Sequence, residues 1–160
     1  MKSTDSSTTS PAAAPRVNYR QVAPAAVAAM LVVQRAVNES GLEHSLLELV
    51  KLRASQINGC AYCLDLHWRD AKKAGETDER LYLLGTWEES PGYTERERAA
   101  LRWTEALTRL SSGHVSDATF AAARAHFTEP ELVQLTLAIV VINGWNRFSV
   151  GFKVPPRAEF

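Results

Sequence analysis

Cysteine is scarce in this chain: there are two in 160 residues, and both lie in the stretch CAYCLDLHW at 60–68. Thiols three positions apart cannot close a large loop, so the disulfide framework of small secreted domains is excluded. An excess of charge of either sign is also lacking. Lys plus Arg and Asp plus Glu stand at 18 each, which argues against a broad nucleic-acid or anionic-membrane footprint. Long hydrophobic runs are missing as well. Leu135–Ile142 is the longest, it is interrupted by Thr136, and a membrane-spanning helix needs about 20 apolar residues. Residues 1–16 have no apolar core of the kind a secretory signal carries. Their Ser, Thr, Ala and Pro content predicts a disordered tail ahead of one domain over residues 17–160. These absences together predict a cytoplasmic protein, where a close cysteine pair is more often catalytic or metal-binding than structural.

Strand signals are missing too, because no β-branched run alternates with polar residues, and no internal repeat stands out. Helix signals fill the space. Pro24 suits the first turn of a helix that reaches about Ser40 and stops at Gly41. A second helix is predicted from about Glu43 to Asn58, with Leu46, Leu47, Val50, Ala54 and Ile57 on one stripe and Gly59 as its stop. Leu49 and Leu52 lie off that stripe, so this helix is expected to be covered twice, by its own core and by a partner subunit. A third helix runs from near Cys60 to Ala74. Thr77 or Asp78 caps a short helix ending near Trp87. Thr94 with Glu97 forms a capping-box pattern for a helix to about Leu110, and Ser116 caps one ending near Phe127. Thr128, Pro130 and Glu131 open the last helix, to about Val150. The predicted class is all-α, a compact domain of antiparallel helices with short connections.

Cys60, Cys63 and His67 are spaced i, i+3 and i+7, which puts them on one helix face over two turns. The pair falls in the first turn after Gly59, where free backbone N–H groups and the helix dipole stabilise an anion. That placement favours reactive thiolates, with Cys60, nearer the terminus, the more acidic. His67 can take a proton from Cys63 or give one to a leaving oxygen. Attachment of a c-type haem is excluded, because Leu64 rather than His follows Cys63. A zinc site has Cys60, Cys63 and His67 as ligands but no clear fourth, since His44, His114 and His126 show no paired ligand spacing. A thioredoxin-like setting would require a strand before the pair. Two inert, buried cysteines are the structural alternative. Trp68, Trp87, Trp103 and Trp145 are expected in the core or at a subunit interface. Asn143, Asn146 and Arg147, polar within an apolar helix, are expected at a subunit contact. Glu48 lies near Leu52 and Ser55 on the helical wheel, off the apolar stripe, which by itself predicts a solvated acid.

Glu48, eleven intervening residues, C-A-Y-C and then His67, together with INGWNRFSVGFKVPP at 142–156, resemble the alkylhydroperoxidase D-like proteins of the carboxymuconolactone decarboxylase superfamily. The similarity covers roughly residues 20–156. It implies a thiol-dependent hydroperoxide reductase of antioxidant function, with no metal and no organic cofactor. In that family pattern Cys63 is the peroxidatic thiol and Cys60 the resolving one, forming an intramolecular disulfide, while His67 and Glu48 relay protons. An external dithiol, lipoyl-based or thioredoxin-like, would reset the pair, and the subunits would assemble as a trimer or hexamer. Alternatives are a general thiol–disulfide oxidoreductase, a redox sensor that does not turn over, and a lyase of the decarboxylase type, whose activity does not depend on this cysteine pair. One departure from the pattern is Tyr62, where characterised peroxidases of the group can carry a histidine. Tyrosine hydrogen-bonds but takes up no proton at neutral pH.

Overall fold

The computed structural model describes residues 14–157 and contains, among them, eight α-helices, two short 3-10 turns and no strand. The helices are α1 (Tyr19–Val22), α2 (Pro24–Asn38), α3 (His44–Asn58), α4 (Ala61–Lys73), α5 (Asp78–Leu83), α6 (Glu95–Thr108), α7 (Asp117–Arg124) and α8 (Glu129–Gly151). Most ends are set by the local chemistry that predicts them. Thr94 and Thr128 each accept from the backbone N–H three residues on, and Glu97 and Glu131 reach back to complete both capping boxes. The helix predicted to reach Trp87 is α5 followed by a 3-10 turn at Leu84–Thr86, and α7 ends at Arg124. α1 is not anticipated, because four residues carry no readable periodicity. The expected tail falls largely on residues 1–13, which lie outside the described residues. The Arg16 N–H bonds to the Phe152 carbonyl at 2.8 Å. No single described helix is long and apolar enough to cross a membrane.

One junction matters most for the site. Gly59 ends α3 in the left-handed region, at φ 64°, where a side chain would be strained. The turn lets the Cys60 N–H bond the Ser55 carbonyl at 3.0 Å, a Schellman closure. Cys60 is then at once the N-cap of α4. The cysteine pair is therefore held between two helix ends, with no loop to blur its position.

α3 lies at the centre of the packing. Leu46, Leu47 and Val50 join a core with Ala100 and Trp103 of α6 and Leu135 and Ile139 of α8. Leu49 and Leu52 face a second core built from Leu81, Leu84, Trp87 and Leu101. The second apolar side of this helix is thus covered by the chain's own α5–α6 region, which corrects the expectation that a partner subunit covers it. Burial of a leucine in either cluster contributes about 1.5–3 kcal/mol.

Asn143 and Asn146 also correct an expectation, because they bond within the chain and not across a subunit contact. Asn58 Nδ2 donates to Oδ1 of both, at 2.9 Å each, and Asn146 Nδ2 donates to Ser55 Oγ at 3.0 Å. Asn143 Nδ2 donates to Thr108 Oγ1 at 3.1 Å. These bonds lock the last turn of α3, just before the cysteine pair, to α8 and α6. Arg147 is exposed and donates back to the Asn143 carbonyl at 2.8 Å. Of the tryptophans, Trp87 and Trp103 are core residues, Trp145 packs against the core, and Trp68 is exposed.

Two of the helix starts are pH-sensitive. Burial tends to raise the Glu97 carboxyl, but hydrogen bonds from Arg80 and Thr94 outweigh it and hold it below 4.5. Glu131 is lowered to about 2 by the Thr128 backbone N–H, the Thr128 hydroxyl and Arg96. A carboxyl depressed on folding contributes stability that is present above its unfolded pKa and is lost as pH falls through the folded value. Thermal unfolding followed by circular dichroism is therefore expected to show Tm falling steadily from pH 4.5 towards 2, with a shallower fall in Glu131→Gln. Equal slopes in both proteins would contradict this assignment.

Candidate active site

Cys60 and Cys63 are joined in a disulfide, with their Cα atoms 5.4 Å apart. Both residues are buried, at 1% and 2% exposure, against Ala54 and Ile142. As N-cap of α4, Cys60 presents its Sγ to the Cys63 N–H at 3.3 Å. That hydrogen bond would favour a thiolate on Cys60.

Glu48 is not solvated. α4 packs across its side of α3 and leaves it 2% exposed. Its Oε2 accepts from His67 Nδ1 at 2.8 Å, and its Oε1 accepts from Lys51 Nζ at 2.7 Å. His44 Nε2 lies 3.8 Å from the same Oε1, at the exposed edge. Burial by itself would raise the Glu48 carboxyl. The His67 hydrogen bond and charge, followed by the charge and hydrogen bond of Lys51, outweigh it and hold the pKa below 4.5. Glu48 is thus an ionised carboxylate inside the protein, and it fixes the His67 ring by its Nδ1, leaving Nε2 free to act.

The chain brings together every residue that the motif singles out. Glu48, Cys63 and His67 line one cavity of about 250 Å³, with Lys51, Tyr62 and Trp145 among its other walls. Cys60 is not among the residues lining it. Arg20 also lines the mouth, where its guanidinium lies 5.9 Å from the Trp145 ring centroid. Tyr62 is not free, since its hydroxyl accepts from Arg157 Nη2 at 3.1 Å.

Lys51, His44 and Asp70 are the site residues that sequence reasoning missed. Lys51 carried a usable signal, for it stands at i+3 from Glu48 between Val50 and Leu52, and a lysine flanked by core positions must find a counter-charge. For a metal, the described residues offer Glu48, His67 and Asp70, with one ligand atom each and all within 4.8 Å of one another. Lys51 already places a cation 2.7 Å from Glu48, which opposes a second positive charge there. The zinc set of Cys60, Cys63 and His67 is not available while the two sulfurs are bonded to each other.

Comparison with known proteins places this geometry. The model of the carboxymuconolactone decarboxylase family matches residues 23–106. The protein YdfG of Bacillus subtilis (strain 168), itself uncharacterized, is 40% identical over 135 residues, which span 84% of this chain and 92% of YdfG. A crystal structure from Agrobacterium tumefaciens, of unknown function and described as a candidate AhpD antioxidant defence protein, superposes with a TM-score of 0.89. The two are 42% identical, over 91% of this chain and all of that one. A structure from Ralstonia eutropha JMP134, described as an alkylhydroperoxidase AhpD core, shares the fold at a TM-score of 0.77 and 20% identity, over 89% and 77% of the two chains. The chain is an AhpD-like member of the carboxymuconolactone decarboxylase family.

Proposed function

We propose that the protein is a thiol-dependent hydroperoxide reductase in which Cys63 attacks the peroxide and Cys60 resolves the product. The observation that carries this reading is the buried Glu48–His67 hydrogen bond of 2.8 Å beside Cys63 in one cavity. A base fixed on one side by a carboxylate and open on the other is what proton removal from a thiol requires.

In the reduced protein, His67 takes the Cys63 proton while Glu48 stabilises the cation that forms. The Cys63 thiolate attacks the terminal oxygen of ROOH, the O–O bond breaks, and the alkoxide leaves with a proton from His67 as ROH. Cys63 is now a sulfenic acid. The Cys60 thiolate, favoured by the Cys63 N–H, attacks the Cys63 sulfur, and hydroxide leaves as water with the proton that the Cys60 thiol gave up, giving the disulfide present in the structure. An external dithiol then restores both thiols by exchange. Decarboxylase-type lyase chemistry has no use for this pair.

The exposed side of α2, with Leu31, Val32 and Val33 more than a third accessible, supports assembly into a homo-oligomer, although the second apolar side of α3 does not. A cytoplasmic setting agrees with reduction by intracellular dithiols.

One equivalent of an organic hydroperoxide should consume two thiols per chain in the reduced wild type. Cys60→Ser should accumulate a trappable sulfenic acid, and Cys63→Ser should not. Thiols that persist at millimolar peroxide would overturn the peroxidase reading and leave disulfide exchange as the function.

Lys51 provides a second test. Lys51→Met removes one of the two groups that keep Glu48 ionised, so Glu48 titrates at higher pH. The acid limb of the pH–rate profile for Cys63 oxidation should move upward, and Lys51→Arg should restore it. Loss of the buried partner should also cost of order 3 kcal/mol in stability. An unmoved profile would remove Lys51 from the account.

A further inference from the structure

A second cavity, of about 200 Å³, opens beside the disulfide and is lined by Cys60, Ala61, Val150, Lys153 and Val154 among others. Cys63 is not among its lining residues, just as Cys60 is absent from the first cavity. Tyr62 and Ser149 line both. Cys63 thus lines the first cavity and its disulfide partner Cys60 lines the second. Each cysteine is no more than 2% exposed, and each lines one of these two openings.

The two sides differ in charge. In the first cavity Arg20 and Lys51 are balanced by Glu48 and Asp70. In the second, Lys153 is the one charged residue among those lining it. Lys153 is held at this rim by its backbone. It takes the left-handed conformation, φ 52°, and the next residue closes α8, with the Val154 N–H bonding the Ser149 carbonyl at 2.9 Å. Non-glycine residues adopt that conformation only where the surrounding structure holds them in it. The terminal segment is further tied down by the Arg157 N–H, which bonds Asp65 Oδ2 at 2.9 Å.

We propose that this second cavity is the port for the regenerating thiol, which reaches Cys60 and not Cys63, and that its ligand is a slender thiol bearing an anionic group for Lys153. The inference rests on the reading of Cys60–Cys63 as a cycling disulfide and adds the side and chemistry of its reduction. Thiolate attack forms a bond to one sulfur of the pair, and a thiol that enters the second cavity meets Cys60, the cysteine that lines it. The incoming thiolate forms a bond to Cys60 Sγ, the Cys60–Cys63 bond breaks, and its electron pair leaves on Cys63 Sγ. His67 takes up the proton that the incoming thiol released and passes it to Cys63, which is ready for the next peroxide. A second thiol then attacks the mixed disulfide on its outer sulfur and frees Cys60. In total two thiols are oxidised and the protein gains two electrons. A cavity of this size and apolar lining (Ala61, Val150 and Val154) admits a chain of few heavy atoms.

The test uses the full-length oxidised protein and no peroxide, so its outcome is independent of the peroxidase reading. Two probes of similar size are compared at low salt, 2-mercaptoethanesulfonate and cysteamine, with rates expressed per thiolate. Acid quenching, alkylation and tandem mass spectrometry locate the mixed disulfide. The expected results are the adduct on Cys60 with Cys63 alkylated, and an anionic-over-cationic preference that falls by about three- to tenfold in Lys153→Glu and is kept in Lys153→Arg. An adduct on Cys63, or a preference unchanged in Lys153→Glu, would overturn the proposal. If the port is confirmed while peroxide leaves the thiols untouched, the oxidation step fails and the port stands.

Discussion

A carboxylate removed from water keeps its charge only where partners replace its hydration, and Glu48 has two. It is held between Lys51 and His67 at 2.7 and 2.8 Å, inside a helical core. The cost of desolvating this group is large, and an unpaired ion there would protonate instead. The arrangement depends on α3 and α4 packing face to face, and that packing depends on the abrupt turn at Gly59. The surrounding structure serves to hold this turn. The Schellman closure fixes its backbone, the asparagine network fixes the α3 end against α8, and cores on both sides of α3 fix the helix itself.

On the proposed reading the same turn sets the division of labour in the cysteine pair. Cys60 is the N-cap and Cys63 is in the first turn, their sulfurs are joined, and the two residues line different cavities. The Cys63 side holds the acid–base residues and the Cys60 side holds none. A thiol enzyme that must meet an oxidant and a reductant in succession gains from separating them. Each proposed half-reaction would then have its own electrostatics.

How much of this was legible in the sequence follows from the range of each signal. Thr94, Thr128 and Gly59 act within a few residues, so the helix boundaries they set could be read directly. Cys60, Cys63 and His67 share a helix, and their common face follows from spacing alone. Glu48 could not be read in this way. A helical wheel gives its direction, and only the packing of α4 says that this direction is inward. The family pattern supplied what the wheel could not. The positions of Leu49 and Leu52 off the main stripe show that they need cover, but the cover comes from α5 and α6, which lie further along the chain than any local pattern reaches. The bonds from Asn58 to Asn143 and Asn146 span 85 and 88 residues, beyond any periodicity in the sequence. Lys51 was readable in principle, as a charge placed among core positions.

The central claim is that Glu48 and His67 act on Cys63 as one unit. A double-mutant cycle on the rate of Cys63 oxidation by an organic hydroperoxide, comparing wild type, Glu48→Gln, His67→Asn and the double variant, tests it directly. General acid–base assistance is worth about 10²- to 10⁴-fold, so each single variant should lose a factor in that range. The account predicts that the double variant is little worse than either single one, because groups that work through each other are not additive. Losses that multiply would show two independent residues and contradict the account.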